Sequence, residues 1–297
     1  MKPWMNAGEY CAGIDYRLAD EPSVVVERRE LEQRGVIYPY RVIRSRKIGK
    51  SDRMMMIRAG THGEEVAGPL TLLWYLKQII DRIHAAGLKA IIVPLANPWG
   101  FEHGERYSER GPRGNDDAIC YILRDGTIVD DLGSGSDFQT WFWSHRGPAD
   151  RPWDATGLPA ETKCWLELFE REWQEHPWQF VAFLDLHQDY FIKDRPGAYH
   201  YAFGDLVRYE AIVAEIEKRV PICVNEAIGS GCNGAPLTTN NRGFIVRHDG
   251  STVDAAYHLG IPHVVTVETL GATPIGDACA VNLEWINGII DIACLHQ

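Results

Sequence analysis

Residues 58–70 read RAGTHGEEVAGPL, with His62 three places before Glu65 in a Gly-rich turn that opens onto an apolar run. A histidine and a carboxylate at that spacing can share a metal ion. They can equally be polar loop groups, with Glu65 favoured in the first turn of the helix that follows. With 11 His and 41 acidic residues among 297, about 1.5 such pairs are expected by chance. His62 is the only histidine with an acid at the third place after it, so the rest of the chain has to decide.

Two further groups have the right chemistry at the right kind of place. His187 closes the apolar run FVAFLDLH, and Glu268 stands near the end of HVVTVET. His62, Glu65 and His187 make a His₂Glu set. With one water this completes a four-coordinate catalytic zinc site, whereas a structural site closes itself with a fourth protein ligand. Such a metal lowers the pKa of its water toward ~7 and polarises a carbonyl oxygen. A carboxylate must then take the water's proton and hand it to the leaving amine, a role that suits Glu268 in its Val/Thr strand. Each residue has a plainer alternative: His187 as a satisfied histidine at a strand end, Glu268 as a carboxylate where a strand reaches the surface. All of them standing at the ends of expected strands is harder to obtain by accident.

The elements that must position these groups are legible from periodicity. Strands are expected at 23–29, 36–43, 54–60, 90–98, 178–187 and 263–269. Helices are expected at 66–84, 159–176, about 205–219, 252–259 and through CAVNLEWINGIIDIACL at the end. Between Asp125 and Gly157 the sequence turns irregular, and a loop of that length is often functional. Trp141, Trp143 and Trp153 in it either line a substrate cleft or pack the loop onto the core. Strands alternating with helices predict an α/β fold with a largely parallel sheet covered on both faces. No boundary or repeat interrupts the chain, so residues 1–297 are expected to form a single catalytic domain. Sites in such sheets gather at the carboxyl ends of strands, where His62, Glu65, His187 and Glu268 all fall.

Composition narrows the function. A net charge of −11 argues against a nucleic-acid or anionic-membrane partner. No run of 18 apolar residues predicts a membrane span, and MKPWMNAGEYCAG lacks the apolar stretch of a signal peptide. Seven cysteines without a C-x-x-C pair fit reduced thiols. A cytoplasmic protein is the expectation.

Taken in order, GTHGEEVAGPL, NPWGFEHGERYS, DLH and GSTVDAAYHLGIPHVVTVET resemble the zinc carboxypeptidase superfamily, which also holds the succinylglutamate desuccinylase and aspartoacylase deacylases. The resemblance spans roughly residues 53–270, and the intervals between motifs are similar too. It implies a mixed, mostly parallel twisted sheet between helices, one Zn²⁺ on His62, Glu65 and His187, and Glu268 as general base and acid. NPWGFEHGER is similar to the family's N-P-x-G-x₅-R, which implies that Arg106 polarises the scissile carbonyl. A guanidinium suits that role because it stays charged and offers several donors.

The chain also departs from the family. Where the family has D-L-N-R to grip a terminal carboxylate, this sequence has RGND, so Asn115 matches while Arg113 and Asp116 replace the acid and the arginine. The acid that would orient His62 is thereby missing as well. Arg110 or Arg113 is expected to reach the cleft as a substitute anchor; alternatively Asp116 and Asp117 read a cationic group. The family's mobile Tyr falls on Val246, with Arg247 and His248 the nearest polar residues, which leans toward the deacylases. The short stretch after Glu268 leaves little room for their β-rich C-terminal region, which leans back. Val253 falls where carboxypeptidases set side-chain preference. The expected function is a metallocarboxypeptidase acting on a peptide or peptide-like substrate. The alternatives are an N-acyl amino acid deacylase and a non-catalytic binding protein on the same fold.

Overall fold

The computed structural model describes residues 5–109, 117–133, 135, 137–150, 154, 157–230 and 236–295. Helix α1 (Ala7–Arg17) starts at Asn6, whose side chain accepts from the Glu9 N–H while Glu9 reaches back to the Asn6 N–H. This reciprocal cap satisfies two of the donors a helix start leaves open. Strands β1 (Val24–Gln33) and β2 (Val36–Ser45) form a long antiparallel hairpin. Its two-residue turn needs Arg34 and Gly35 both at positive φ, the geometry that matches strand twist. There follow β3 (Arg53–Ala59), α2 (Ala67–Ala85), β4 (Leu88–Val93), α3 (Pro98–His103) and the short strands β5 (Ile119–Ile122), β6 (Ile128–Val129) and β7 (Thr140–Trp143). The chain continues through α4 (Ala160–Glu175), β8 (Phe180–Asp189), β9 (Ala198–Phe203), α5 (Glu210–Glu217), β10 (Ala227–Ser230), β11 (Pro236–Thr238) and β12 (Phe244–Ile245). It ends with α6 (Thr252–His258), β13 (His263–Leu270) and α7 (Ile275–Cys294).

Eight strands make the main sheet, in the order β1-β2-β4-β3-β8-β13-β9-β12. The four pairings β4–β3, β3–β8, β8–β13 and β9–β12 are parallel, and the other three antiparallel. The central strands are apolar on both sides because both sides are covered. Met55 and Ile57 of β3 and Leu184 and Leu186 of β8 face one cluster with α1, α2, α5 and α7. Met54, Met56 and Phe183 face the other, built with α4, α6 and the small β6-β5-β7 sheet. The α/β fold with helices on both faces thus agrees with the sequence reading.

Several details differ. The expected strand at 90–98 stops at Val93, because Asn97 caps a new helix with Pro98 in its first turn and Gly104 closes it in a left-handed conformation. Strand β9 was not anticipated. Its segment AYHYAF is interrupted by His200, yet five of its six residues are buried between β13 and β12. The stretch 125–157 is not wholly irregular, since β6 and β7 lie in it and join β5 just before it.

Candidate metal centre and catalytic cleft

The functional side chains come from the strand ends and from two loops locked together. The loop from β3 to α2 carries His62 and Glu65, and the loop after α3 carries Arg106. Gly63 lies so close to Gly100 that a Cβ there would sit 1.9 Å from its carbonyl carbon. Backbone bonds from Gly63 to Arg106 (3.3 Å) and from Asn97 to Gly60 (2.8 Å) hold the two loops in register, and Asn97 Nδ2 also donates to the Arg106 carbonyl at 3.1 Å. Strands β8 and β13 run parallel with His187 directly opposite Glu268.

These elements bring His62, Glu65, His187, Arg106 and Glu268 to one cavity of about 270 Å³. Tyr199, Tyr201, Ile228 and Leu237 form its apolar wall. The two Nδ1 atoms of His62 and His187 stand 3.1 Å apart, with Glu65 oxygens 2.7 Å from the first and 2.8 Å from the second. Glu65 also accepts from Arg106 Nη1 at 2.8 Å and from the Gln188 N–H at 3.2 Å. Burial alone would raise the Glu65 carboxyl, but the two imidazoles hold it well below the usual range. Burial opposes charge on His187, yet Asp185 and Glu65 on either side raise its proton affinity well above normal. Flanking carboxylates that favour a proton favour a cation in the same place. For zinc with nitrogen and oxygen ligands at 2.0–2.2 Å, neighbouring donors of a tetrahedron stand about 3.3 Å apart. By donor type, two imidazoles and a carboxylate, the set fits a divalent transition metal.

Glu268 differs from Glu65. Its Oε1 is 3.9 Å from His187 Nδ1, and its Oε2 is buried with no hydrogen-bond partner among the described residues. Burial pushes this carboxyl well above the usual range, with Glu65 and Asp189 adding to the effect against the opposing pull of His187. A buried carboxyl with raised proton affinity is suited to accept and return a proton.

The sequence reading missed the groups behind the cluster. Asp185 accepts from His187 Nε2 at 3.0 Å and from Thr61 Oγ1 at 3.3 Å. Arg58, 1% exposed, donates to both Asp185 oxygens and lies over the Trp165 ring. This carboxylate fixes which ring nitrogen of His187 faces the cluster. His187 thus has an orienting acid on its own strand. Two signals were available: Asp185 sits two residues before His187, hence on the same strand face, and Arg58 is a charge inside the buried run MMMIRAG, directly across from it on β3. Asp189 in the cavity wall accepts from Tyr199 at 3.0 Å, and its carboxyl is raised by burial.

Other expected residues fall elsewhere. Arg110, Arg113, Asn115, Asp116 and Trp153 lie outside the described residues. Val253 is 1% exposed in the second core cluster, because the face of α6 that carries it packs on the sheet; Ser251, just before the helix, lines the cavity instead. Val246 is exposed, and Arg247 pairs with Asp131 at 2.6 Å. Trp141 and Trp143 pack edge to face at 5.5 Å against the second cluster and do not line the cavity. Among the described residues, no helix is long and apolar enough to cross a membrane.

The fold is shared with solved structures of candidate metallopeptidases, and one stretch of the sequence matches a family model. Residues 51–116, which carry His62, Glu65 and Arg106, match the succinylglutamate desuccinylase/aspartoacylase catalytic domain. A candidate metallopeptidase from Shewanella baltica OS155 superposes with a TM-score of 0.69 at 17% identity, covering 96% of this chain and 92% of that one. Another from Shewanella amazonensis SB2B gives 0.64 at 20% identity, over 96% and 91%. Bovine thrombin-activatable fibrinolysis inhibitor, in complex with tick carboxypeptidase inhibitor, gives 0.57 at 16% identity, over 100% and 99%. No curated protein matches the sequence.

Proposed function

We propose that the chain is a single-domain, zinc-dependent hydrolase of amide bonds, most like a metallocarboxypeptidase acting on a peptide or peptide-like substrate. One observation carries this reading: two imidazoles and a carboxylate converge on one wall of a cavity, beside a buried carboxylate with an unsatisfied oxygen. His62, Glu65 and His187 would hold the ion, which would supply Lewis acidity toward a water and a carbonyl. Glu268 takes the proton from the attacking water and delivers it to the departing amine nitrogen. Arg106 donates to the carbonyl oxygen as negative charge grows there, exchanging its bond to Glu65 for one to substrate. The aromatic wall of Tyr199 and Tyr201 excludes water from the rest of the substrate. The likeness to the bovine inhibitor, whose partner is a carboxypeptidase inhibitor, supports the peptidase reading.

Deacylation of an N-acyl amino acid is the second reading, favoured by the match of residues 51–116 to the desuccinylase/aspartoacylase domain and by Val246 in place of a tyrosine. The two part on substrate, so the test uses a panel of blocked peptides with free C-termini beside N-acyl amino acids. Glu268→Gln should retain zinc while turnover of the preferred substrate falls on the order of 10²–10⁴-fold. Near-full turnover by Glu268→Gln, or hydrolysis unaffected by His62→Ala, would remove the proposal. Cleavage of the N-acyl amino acids alone would decide for deacylation.

A further inference from the structure

A second cluster of donors stands apart from the cleft. His248 lies in the loop after β12, and Asp254 and His258 are four residues apart on one face of α6. Their ligand atoms all lie within 4.8 Å of one another. His248 Nδ1 is 2.7 Å and His258 Nε2 is 3.3 Å from the same oxygen, Asp254 Oδ1. The hydroxyl of Tyr121 on β5 stands 3.0 Å from His258 Nε2. The other Asp254 oxygen accepts from the Gly250 N–H at 3.0 Å and from Tyr121, which fixes the carboxylate so that Oδ1 faces both imidazoles. Asp254 is fully buried, while the two histidines keep 15% and 12% of their side chains exposed, enough for an ion to enter.

We propose that His248, Asp254 and His258 form a second transition-metal site, structural in role, with the Tyr121 hydroxyl beside its fourth position. The two histidine–carboxylate spacings are 2.7 and 3.3 Å, against 2.7 and 2.8 Å in the first cluster, and the longer matches the edge of about 3.3 Å in tetrahedral zinc coordination. Two imidazoles with one carboxylate suit zinc, nickel or copper better than calcium or magnesium. Arg247, the neighbouring cation, is engaged by Asp131. The position suits a clamp. His248 exchanges backbone hydrogen bonds with Leu132 and Gly133 at 2.7 and 2.8 Å, and Tyr121 belongs to the small sheet. An ion here would tie that sheet and α6 to the loop between them.

The inference does not rest on the hydrolase reading, and the experiment separates the two. His248→Asn and His258→Gln retain a side-chain N–H near the original nitrogen, so a mere hydrogen-bond network survives them while a metal site does not. Purified full-length protein is loaded with zinc, desalted and assayed for bound metal. Wild type should hold about two equivalents, and each of these two variants about one. The double variant His62→Ala/His187→Ala should also hold about one, and in that background zinc should raise the melting temperature. Zinc content unchanged by His248→Asn and His258→Gln, or no zinc-dependent rise in the double variant, overturns the second site. Loss of zinc in His258→Gln but not in His62→Ala/His187→Ala would keep the second site and remove the catalytic one.

Discussion

The two clusters share donor types and spacing but not surroundings. The first opens onto a cavity and keeps a buried carboxylate oxygen of Glu268 unsatisfied. In the second, both Asp254 oxygens already accept hydrogen bonds, and neither histidine lines the cavity. The segment 247–251 faces both ways: Asp249 and Ser251 line the cleft, while His248 turns toward Asp254. What sets the proposed reactive site apart is therefore not its donor set but the unfinished hydrogen bonding around it. A closed set can only stabilise.

That contrast can be broken or sharpened by substitution. The largest effect is expected at Asp185, where Asp185→Asn strips the Arg58 cation of its counter-charge in the core. Breaking a buried pair in this way costs about 3–5 kcal/mol, read as a lower midpoint in denaturant unfolding. A midpoint within error of wild type would mean that Arg58 finds another partner. Next comes Arg106→Ala, which on the proposed hydrolase reading removes a donor to the developing oxyanion and should cost about 2.7–4 kcal/mol in the barrier, or 10²–10³-fold in kcat. If KM rises while kcat holds, Arg106 binds substrate without stabilising the transition state. Gly63→Ala forces a methyl into the Gly100 backbone and should cost about 1–3 kcal/mol of stability by thermal melting. Unaltered melting would show that the two loops part easily.

The smallest effect concerns pH and the closed cluster. Burial opposes charge on Asp254, but hydrogen bonds from His248, His258 and Tyr121 hold its carboxyl below the usual range in the folded state. A depressed folded pKa gives stability that is present above the unfolded value of about 3.9 and is lost as pH falls through the folded one. In metal-stripped protein, the advantage of wild type over Asp254→Asn should hold above that value and shrink as the pH drops through it. An advantage independent of pH would show that the hydrogen bonds, not the charge, do the stabilising.

Much of this was legible in the sequence, for identifiable reasons. Apolar runs such as FVAFL and periodic stripes such as Leu72, Leu76, Ile79, Ile80 and Ile83 are local signals, and β8 and α2 formed within two residues of expectation. The candidate site groups were legible because sites in such sheets gather at the carboxyl ends of strands. Less legible were residues whose meaning depends on a partner far along the chain. Arg58 is unremarkable until β8 lies beside β3, and β9, short and interrupted by His200, shows itself as a buried strand only between β13 and β12. Asp254 lies within the quoted segment GSTVDAAY, but its two histidines gain significance only when the loop after β12 folds against α6.

The contact of Gly63 with Gly100 has a consequence for how such a chain can change. Because the loop bearing His62 and Glu65 and the loop bearing Arg106 meet backbone to backbone, they behave as one mechanical part. A drift of α3 that re-aims the arginine also re-aims two donors of the proposed metal set. New specificity is therefore more accessible through the opposite wall, where Ile228 and Leu237 come from the separate β10–β11 hairpin, outside the main sheet and free to be exchanged without recalibrating the machinery they face.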